Sequence, residues 1–318
     1  MRFSVIIPLF NKAPYIEKAL RSVLAQTFTD YELIVVDDGS QDDSANIAEK
    51  VLAESVIRNK LIRQDNAGVS CARNRGVANS QGEYLCFLDA DDWWAPSFLA
   101  EMTTLIDEYP EAGIYGTGYT IVNERKHKTR EAPVGVESGF EKGYIDYCQV
   151  YAKTLAMPLT SISVAIPRGV FDEMQGFPKG IKLGEDFLLW IKIALKYKVV
   201  FLNKPLAYYN QDIDQTNRGV VSKGYAPDTF MTFHFDQFEK IEKESHELKV
   251  LLDRLRVYSL LRFRLTNSYR ERVKHEIAKV DFSNVDKWFW FCYKLPYPFI
   301  WIWQKMRSMA SSIKYRGK

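Results

Sequence analysis

The sequence predicts an α/β fold, a mostly parallel central sheet with flanking helices, followed by a helical C-terminal region. Three observations predict it. From residue 3 to about 115, short β-branched runs alternate with helical apolar spacing, and that βα rhythm calls for a parallel sheet covered on both faces. After about residue 222 the strand-like runs stop and heptad-like spacing takes over. With 318 residues and 47% hydrophobic content, the chain is long enough to bury one large core or two modest ones.

FSVIIPLF is the first strand. In KAPYIEKALRSVLAQ, residues Ile16, Ala19, Leu20, Val23 and Leu24 recur at helical spacing, with Pro14 where a first-turn proline is tolerated. YELIVVDDGS reads as a second, buried strand, and Asp42, Asp43 and Ser44 open the next helix as cap residues do. NKLIRQ is a third strand, GVSCARNRGVANS a third helix and GEYLCFLD a fourth strand. Pro96 begins a helix whose Phe98, Leu99, Met102, Leu105 and Ile106 share a face. Between 112 and 145 the pattern weakens, and NERKHKTRE reads as a solvated loop or hairpin tip. SISVAIP is a strand, GEDFLLWIKIALKY a helix burying Phe187, Leu188, Ile191 and Leu195, and KVVFLN the last clear strand. The heptad-like stretches are FMTFHFDQFEKI and LKVLLDRLRVYSLLRFRL, and the aromatic run WFWFCYKLPYPFIWIW follows them.

Composition excludes some functions. A net charge of +3 gives no overall basic field of the kind a nucleic-acid binder needs. Cys71, Cys86, Cys148 and Cys292 have no metal-finger spacing and suit buried thiols in a reducing compartment. The N-terminal apolar run is short and interrupted by Pro8 and Asn11, unlike a signal peptide. No stretch reaches the roughly 18 uninterrupted apolar residues of a membrane span, so a cytoplasmic, soluble active part is expected.

FLDADDWW sets Asp89, Asp91 and Asp92 between an apolar run and two tryptophans. In open parallel sheets ligands sit beyond the carboxyl ends of strands, where strand order reverses, and Asp37–Asp38 and Asp89–Asp91 both follow strands. Asp37 to Ser40 alone are as readily an ordinary turn and helix cap. The second cluster is harder to explain that way, because neighbouring carboxylates raise one another's pKa unless a cation is present. Oxygen ligands at alternate positions suit Mg²⁺ or Mn²⁺ bound jointly with substrate phosphates.

SVIIPLFN, QTFTDYELIVVDDGS, NAGVSCARNRG, GEYLCFLDADD and LGEDFLLW, in this order over residues 3 to about 215, together resemble the family 2 inverting glycosyltransferases with a GT-A (Rossmann-like) fold. The resemblance implies a catalytic domain over 1–221, with a nucleotide-sugar half (1–95) and an acceptor half (96–221), and a separate region 222–318. It implies a nucleotide-sugar donor, a UDP-sugar in most members. Pro8, Asn11, Asp38, Arg73, Asp89 and Ala90 would line the donor pocket, and Asp91, with Asp89, would hold the metal. Asp186 would be the base that takes the acceptor proton, with Glu185 binding sugar hydroxyls. Apart from the family, Glu185 and Asp186 read as acids stabilised at a helix N-terminus. Trp190 reads as core and Trp93 as the better sugar contact. The family's basic or histidine residue after YY is missing from YYNQDIDQTNRG, His234 lies far downstream, and Arg218 is the remaining basic candidate for the phosphates. The QxxRW signature of processive synthases is absent, which implies one sugar per encounter.

Two rivals remain. A phosphatase with its DxD near the first strand and a GxGxxG dehydrogenase both fail on the first strand, which ends in PLFN. A sugar-nucleotide-binding protein without turnover is the other. In the C-terminal region Arg254, Arg256, Arg262, Arg264, Arg270, Arg272 and Lys274 sit among leucines and aromatics. The aromatic run, broken by Pro296 and Pro298, is expected to lie on the inner face of the plasma membrane. Packing on the catalytic core or on another subunit of a homo-oligomer is the alternative. A glycan or polyprenyl-diphosphate-linked acceptor in surface-polysaccharide assembly would suit membrane contact.

Overall fold

A computed structural model of the chain describes residues 1–212, 226–265, 269–296 and 299. In chain order the elements of the first part are β1 (Phe3–Leu9), α1 (Ile16–Leu24), β2 (Tyr31–Asp37), α2 (Ser44–Ala53), β3 (Asn59–Arg63), α3 (Val69–Ala78), β4 (Tyr84–Phe87), β5 (Trp93–Trp94) and α4 (Phe98–Glu108). They continue with β6 (Ala112–Asn123), β7 (Lys128–Glu131), β8 (Lys142–Ile145), α5 (Tyr147–Thr154), β9 (Val164–Pro167), α6 (Arg168–Glu173), α7 (Glu185–Ala194) and β10 (Lys198–Asn210).

The strands form one ten-stranded sheet of order β3-β2-β1-β4-β9-β6-β10-β5, with β7 paired to β6 and β8 to β10. The block β3-β2-β1-β4 is parallel throughout. β9 runs antiparallel to both β4 and β6, and β10 returns parallel to β6. Strands β1 and β2 carry near-continuous apolar runs and are buried almost throughout, as a sheet covered on both faces requires. Phe3, Val5, Ile7 and Leu9 face one core together with Leu20 and Val23 of α1 and Phe98, Leu99 and Met102 of α4. Trp190 is fully buried, in line with its reading as core, whereas Leu195 is the half-buried C-cap of α7.

The chain passes from β1 outward through β2 to β3, then crosses to β4 on the other side of β1. The reversal therefore lies between β1 and β4, and the crevice beyond their carboxyl ends is the natural ligand site.

The chain divides into two compact units, Met1–Met231 and Thr232–Lys318. The first extends past the composition shift at 221 because Phe230 bridges Leu183 and donates and accepts through its neighbours there. The second contains α8 (Glu239–Glu242), α9 (His246–Leu265), α10 (Arg270–Ala278) and α11 (Lys287–Lys294). Met231–Phe238, at the boundary of the two units, forms 3₁₀ turns rather than a heptad helix. Arg256, among leucines and aromatics in the sequence, is buried in a two-pronged pair with Glu242, Nη1 to Oε1 at 2.5 Å and Nη2 to Oε2 at 2.9 Å. Among the described residues no helix is long and apolar enough to cross a membrane.

Candidate active site

The turn after β1 is the first wall of the crevice. Asn11 adopts φ 50°, a left-handed conformation that asparagine tolerates better than most residues. Side chains of the 40–44 segment hold it there. Ser40 Oγ accepts from Asn11 N (3.1 Å), Ser44 Oγ from Lys12 N (2.7 Å) and Asp42 from Ala13 N (3.0 Å), while Asn11 Oδ1 accepts from Gln41 N (2.8 Å). So anchored, Lys12 donates from Nζ to Asp91 Oδ2 at 2.6 Å. Pro8 is half-buried, and the Phe10 ring is exposed at the mouth.

Asp38, at the end of β2, is buried and accepts from Gln64 Nε2 (2.6 Å), Ala67 N (2.8 Å) and Gly68 N (2.8 Å). Its carboxylate thus ties down the loop that starts α3. That helix carries Arg73, 2% exposed, whose Nη2 donates to Asp89 Oδ1 (2.7 Å) and Ser161 Oγ (3.1 Å) and whose Nη1 donates to Glu185 Oε1 (3.0 Å). Arg73 thus forms a clamp between two acidic segments. Burial works against its charge, but Asp89 and Glu185 outweigh burial and hold its pKa above the ordinary value.

The acids of FLDADD have three fates. Asp89 keeps 31% of its side chain exposed. Asp91 lies deeper, and burial raises its pKa while Lys12 opposes the rise and Asp89 adds to it. Asp92 is buried, with Oδ1 accepting from Asn210 N at 2.7 Å and Oδ2 without a hydrogen-bond partner among the described residues. Burial, then Asp91 and Asp89, push the Asp92 pKa well above its ordinary value, the direction expected where an uncompensated buried charge is costly. Ala90, between Asp89 and Asp91, is 2% exposed and its methyl group packs in the apolar core.

Glu185 and Asp186 open α7 behind Gly184, which caps it at φ 85°. Asp186 keeps partial exposure, yet burial and then Glu185 raise its pKa to about 7, against the pull of Arg73. Its Oδ1 accepts from Phe187 N at 2.9 Å. Arg73 thus connects the acids after β4 to the start of α7, elements far apart in sequence.

Sequence reasoning missed Lys12 and Ser161. Trp93, favoured as a sugar contact, lies parallel to the Tyr208 ring (centroids 5.5 Å apart, 8°) with Lys18 Nζ 3.2 Å from its own centroid, so its ring is already engaged. Arg218 lies outside the described residues, and His234 belongs to the second unit.

The donor set at Asp89 and Asp91 fits a magnesium- or manganese-type ion only in part. Two carboxylate side chains at alternate positions are offered, each already paired with a basic group of the chain. That is the incomplete set such ions complete with phosphates and water. Among the described residues, the one group of three His, Cys, Asp or Glu side chains whose ligand atoms lie within 4.8 Å of one another is Asp236, His275 and Glu276, in the second unit. Lys279 pairs with both of its acids.

The family model for glycosyl transferase family 2 matches residues 4–173, which include every strand of the parallel block and the DADD segment. The chain belongs to glycosyl transferase family 2. Glycosyltransferase GlyA of Streptococcus pneumoniae is 34% identical to this family 2 chain over 216 residues, 65% of the chain and 30% of that protein. An uncharacterized glycosyltransferase of Escherichia coli, YibD, is 41% identical over 104 residues, 33% of the chain and 30% of that protein. The chain thus spans about a third of these relatives' length. Among solved structures, S. aureus TarS 1–349 in complex with UDP-GlcNAc aligns with a TM-score of 0.59 at 21% identity, covering 89% of each chain. Mannosyltransferase PcManGT from Pyrobaculum calidifontis, in complex with GDP-Man and Mn²⁺, aligns at 0.58 and 19%, covering 99% of this family 2 chain and 82% of that one. At these identities the likeness is one of fold, and the fold is GT-A.

Proposed function

We propose that this chain moves one sugar from a nucleotide-sugar, a UDP-sugar by preference, to a hydroxyl of a glycan or polyprenyl-diphosphate-linked acceptor, with inversion and in a non-processive manner. The observation that carries the reading is the Arg73 clamp, which joins Asp89 to Glu185 beside an Asp186 whose pKa is raised to about 7. A base of that pKa suits removal of a hydroxyl proton near neutral pH. The acceptor oxygen bonds to the anomeric carbon as the bond from that carbon to the diphosphate oxygen breaks. The proton passes to Asp186, and the nucleoside diphosphate departs from the opposite face. Asp91, with Asp89, would hold Mn²⁺ or Mg²⁺, which as a Lewis acid stabilises charge on the departing diphosphate. Arg73 holds Asp89 and Glu185 in register, Asp38 fixes the loop ahead of α3, and the exposed Phe10 ring offers a stacking face to a base. Surface-polysaccharide assembly at the cytoplasmic face of the plasma membrane would supply such an acceptor.

Thermal shifts with UDP, GDP, CDP and dTDP, with and without Mn²⁺, on the wild type and on Asp91→Ala, test this reading. Mn²⁺-dependent stabilisation by one nucleotide, lost in the variant, is the expected result. No stabilisation by any nucleotide would sink it. Nucleotide binding without donor hydrolysis or transfer would favour the non-catalytic binder instead.

A further inference from the structure

Helix α11 shows two different faces. Cys292 and Tyr293 are buried, and the Tyr293 hydroxyl donates to the Val257 carbonyl of α9 at 2.8 Å. Trp288, Phe291, Leu295 and Phe299 follow one another at spacings of three and four residues and are 43, 51, 42 and 62% exposed. Trp290 is 42% exposed. At about 100° per residue, the outward arc of α11 runs Trp290, Lys294, Lys287, Phe291, Leu295, Trp288, so cations are interleaved with large apolar side chains. Exposed aromatics this dense are unusual on a soluble surface.

Charge identifies what covers this arc. Residues 287–318 contain seven Lys or Arg and no Asp or Glu. Thr232–Lys318 holds 18 basic against 10 acidic residues, whereas residues 1–231 hold 25 against 30. A second copy of this chain would bring the same excess of positive charge to the contact, and like charges across an interface are unfavourable. An anionic bilayer satisfies both parts of the arc: aromatic rings settle at the headgroup level, and Lys and Arg are drawn to acidic lipids. At eight residues, α11 is too short to span the roughly 30 Å hydrocarbon core.

We propose that the Trp288–Phe291–Leu295 arc of α11, flanked by Lys287 and Lys294, is an interfacial docking surface for an anionic lipid bilayer, on which the helix lies in the plane. Tyr293 and Cys292 stay on the protein side, so only one face of α11 meets lipid.

Flotation of the full chain with phosphatidylcholine vesicles and with phosphatidylglycerol-rich vesicles, in the absence of nucleotide, tests the surface independently of any glycosyl transfer. The wild type is expected to float with the anionic vesicles only, and less so at high salt. Phe291→Ser/Leu295→Ser should weaken partitioning by about tenfold or more, and Lys287→Gln/Lys294→Gln should remove the preference for anionic lipid. Both pairs lie at exposed positions, and circular dichroism checks that the variants fold. Brominated-lipid quenching of the wild type's tryptophan fluorescence needs no variant and should be positive. Absence of flotation and quenching, or flotation unchanged in the serine variant, would overturn the proposal. So would a wild-type dimer in light scattering that the serine variant dissociates, since the arc would then belong to a second copy.

Discussion

Lys12 and Arg73 give Asp91 and Asp89 counter-charges from within the chain, and that pairing leads to two predictions. Lys12→Met keeps the stem and removes the ammonium that competes for Asp91. It should bind Mn²⁺ more tightly than the wild type without nucleotide, as read by the free-Mn²⁺ electron paramagnetic signal, while melting at a lower temperature in metal-free buffer. Unchanged metal affinity would mean that Lys12 does not share Asp91 with the ion. The second concerns Asp186, raised to about 7 by burial and Glu185. The base proposed above acts deprotonated, so on that proposal transfer should rise with pH through about 7. Stability should run the other way, because the folded state keeps a proton that the unfolded carboxyl releases near pH 4. Asp186→Asn should therefore melt higher than wild type at pH 8, while activity falls by roughly 10²–10⁴. A variant destabilised at pH 8 would contradict the raised pKa. The acids were legible in the sequence because DADD after a buried strand is rare chemistry. Their partners were not: a lysine after a strand looks like any surface lysine, and Lys12 lies 79 residues from Asp91 while Arg73 lies 112 from Glu185.

At the scale of elements, the start of α7 decides where Glu185 and Asp186 stand. Gly184 has φ 85°, and a Cβ there would lie 2.3 Å from Met231 Sδ and 2.8 Å from Met231 Cβ. Met231 N in turn donates to the Leu183 carbonyl at 3.1 Å, so the obstruction cannot swing aside freely. Gly184→Ala should cost about 2–4 kcal/mol, from left-handed strain plus overpacking, and should lower transfer activity more than nucleotide binding, because Asp186 moves and the β1–β4 crevice does not. Equal losses in both, measured by calorimetry and turnover, would argue that α7 also shapes the donor site. The parallel block and α7 were readable from apolar period alone. β6 was not, although its first nine residues are buried without a break. Its glycines dilute the apolar signal, and Gly116 is required by packing rather than by a turn: a Cβ there would meet Leu159 Cδ2 at 2.1 Å. The same hidden contacts explain Trp93, whose sequence position suggested an open ring and whose neighbours Tyr208 and Lys18 come from elsewhere in the fold.

At the scale of the whole molecule, the crevice is made by chain ends of strands rather than by any one motif. The turns after β1, β2 and β4 and the loop into α3 converge there because the strand order reverses between β1 and β4, and they are cross-tied by Asn11, Lys12, Asp38 and Arg73. The two units divide the charge as well as the fold, with the acidic excess in 1–231 and the basic excess beyond it. A ligand that binds in the crevice should therefore leave a patterned trace in backbone exchange. On addition of UDP and Mn²⁺, amide hydrogen exchange should slow in residues 9–12, 38–41, 66–73 and 88–92, because those amides sit in mutually bonded turns whose local opening the ligand suppresses. α9 and α11 should exchange as before. Protection spread through 246–265 would mean that donor binding reaches the second unit. Protection absent from 88–92 but present elsewhere would detach the DADD acids from the donor altogether.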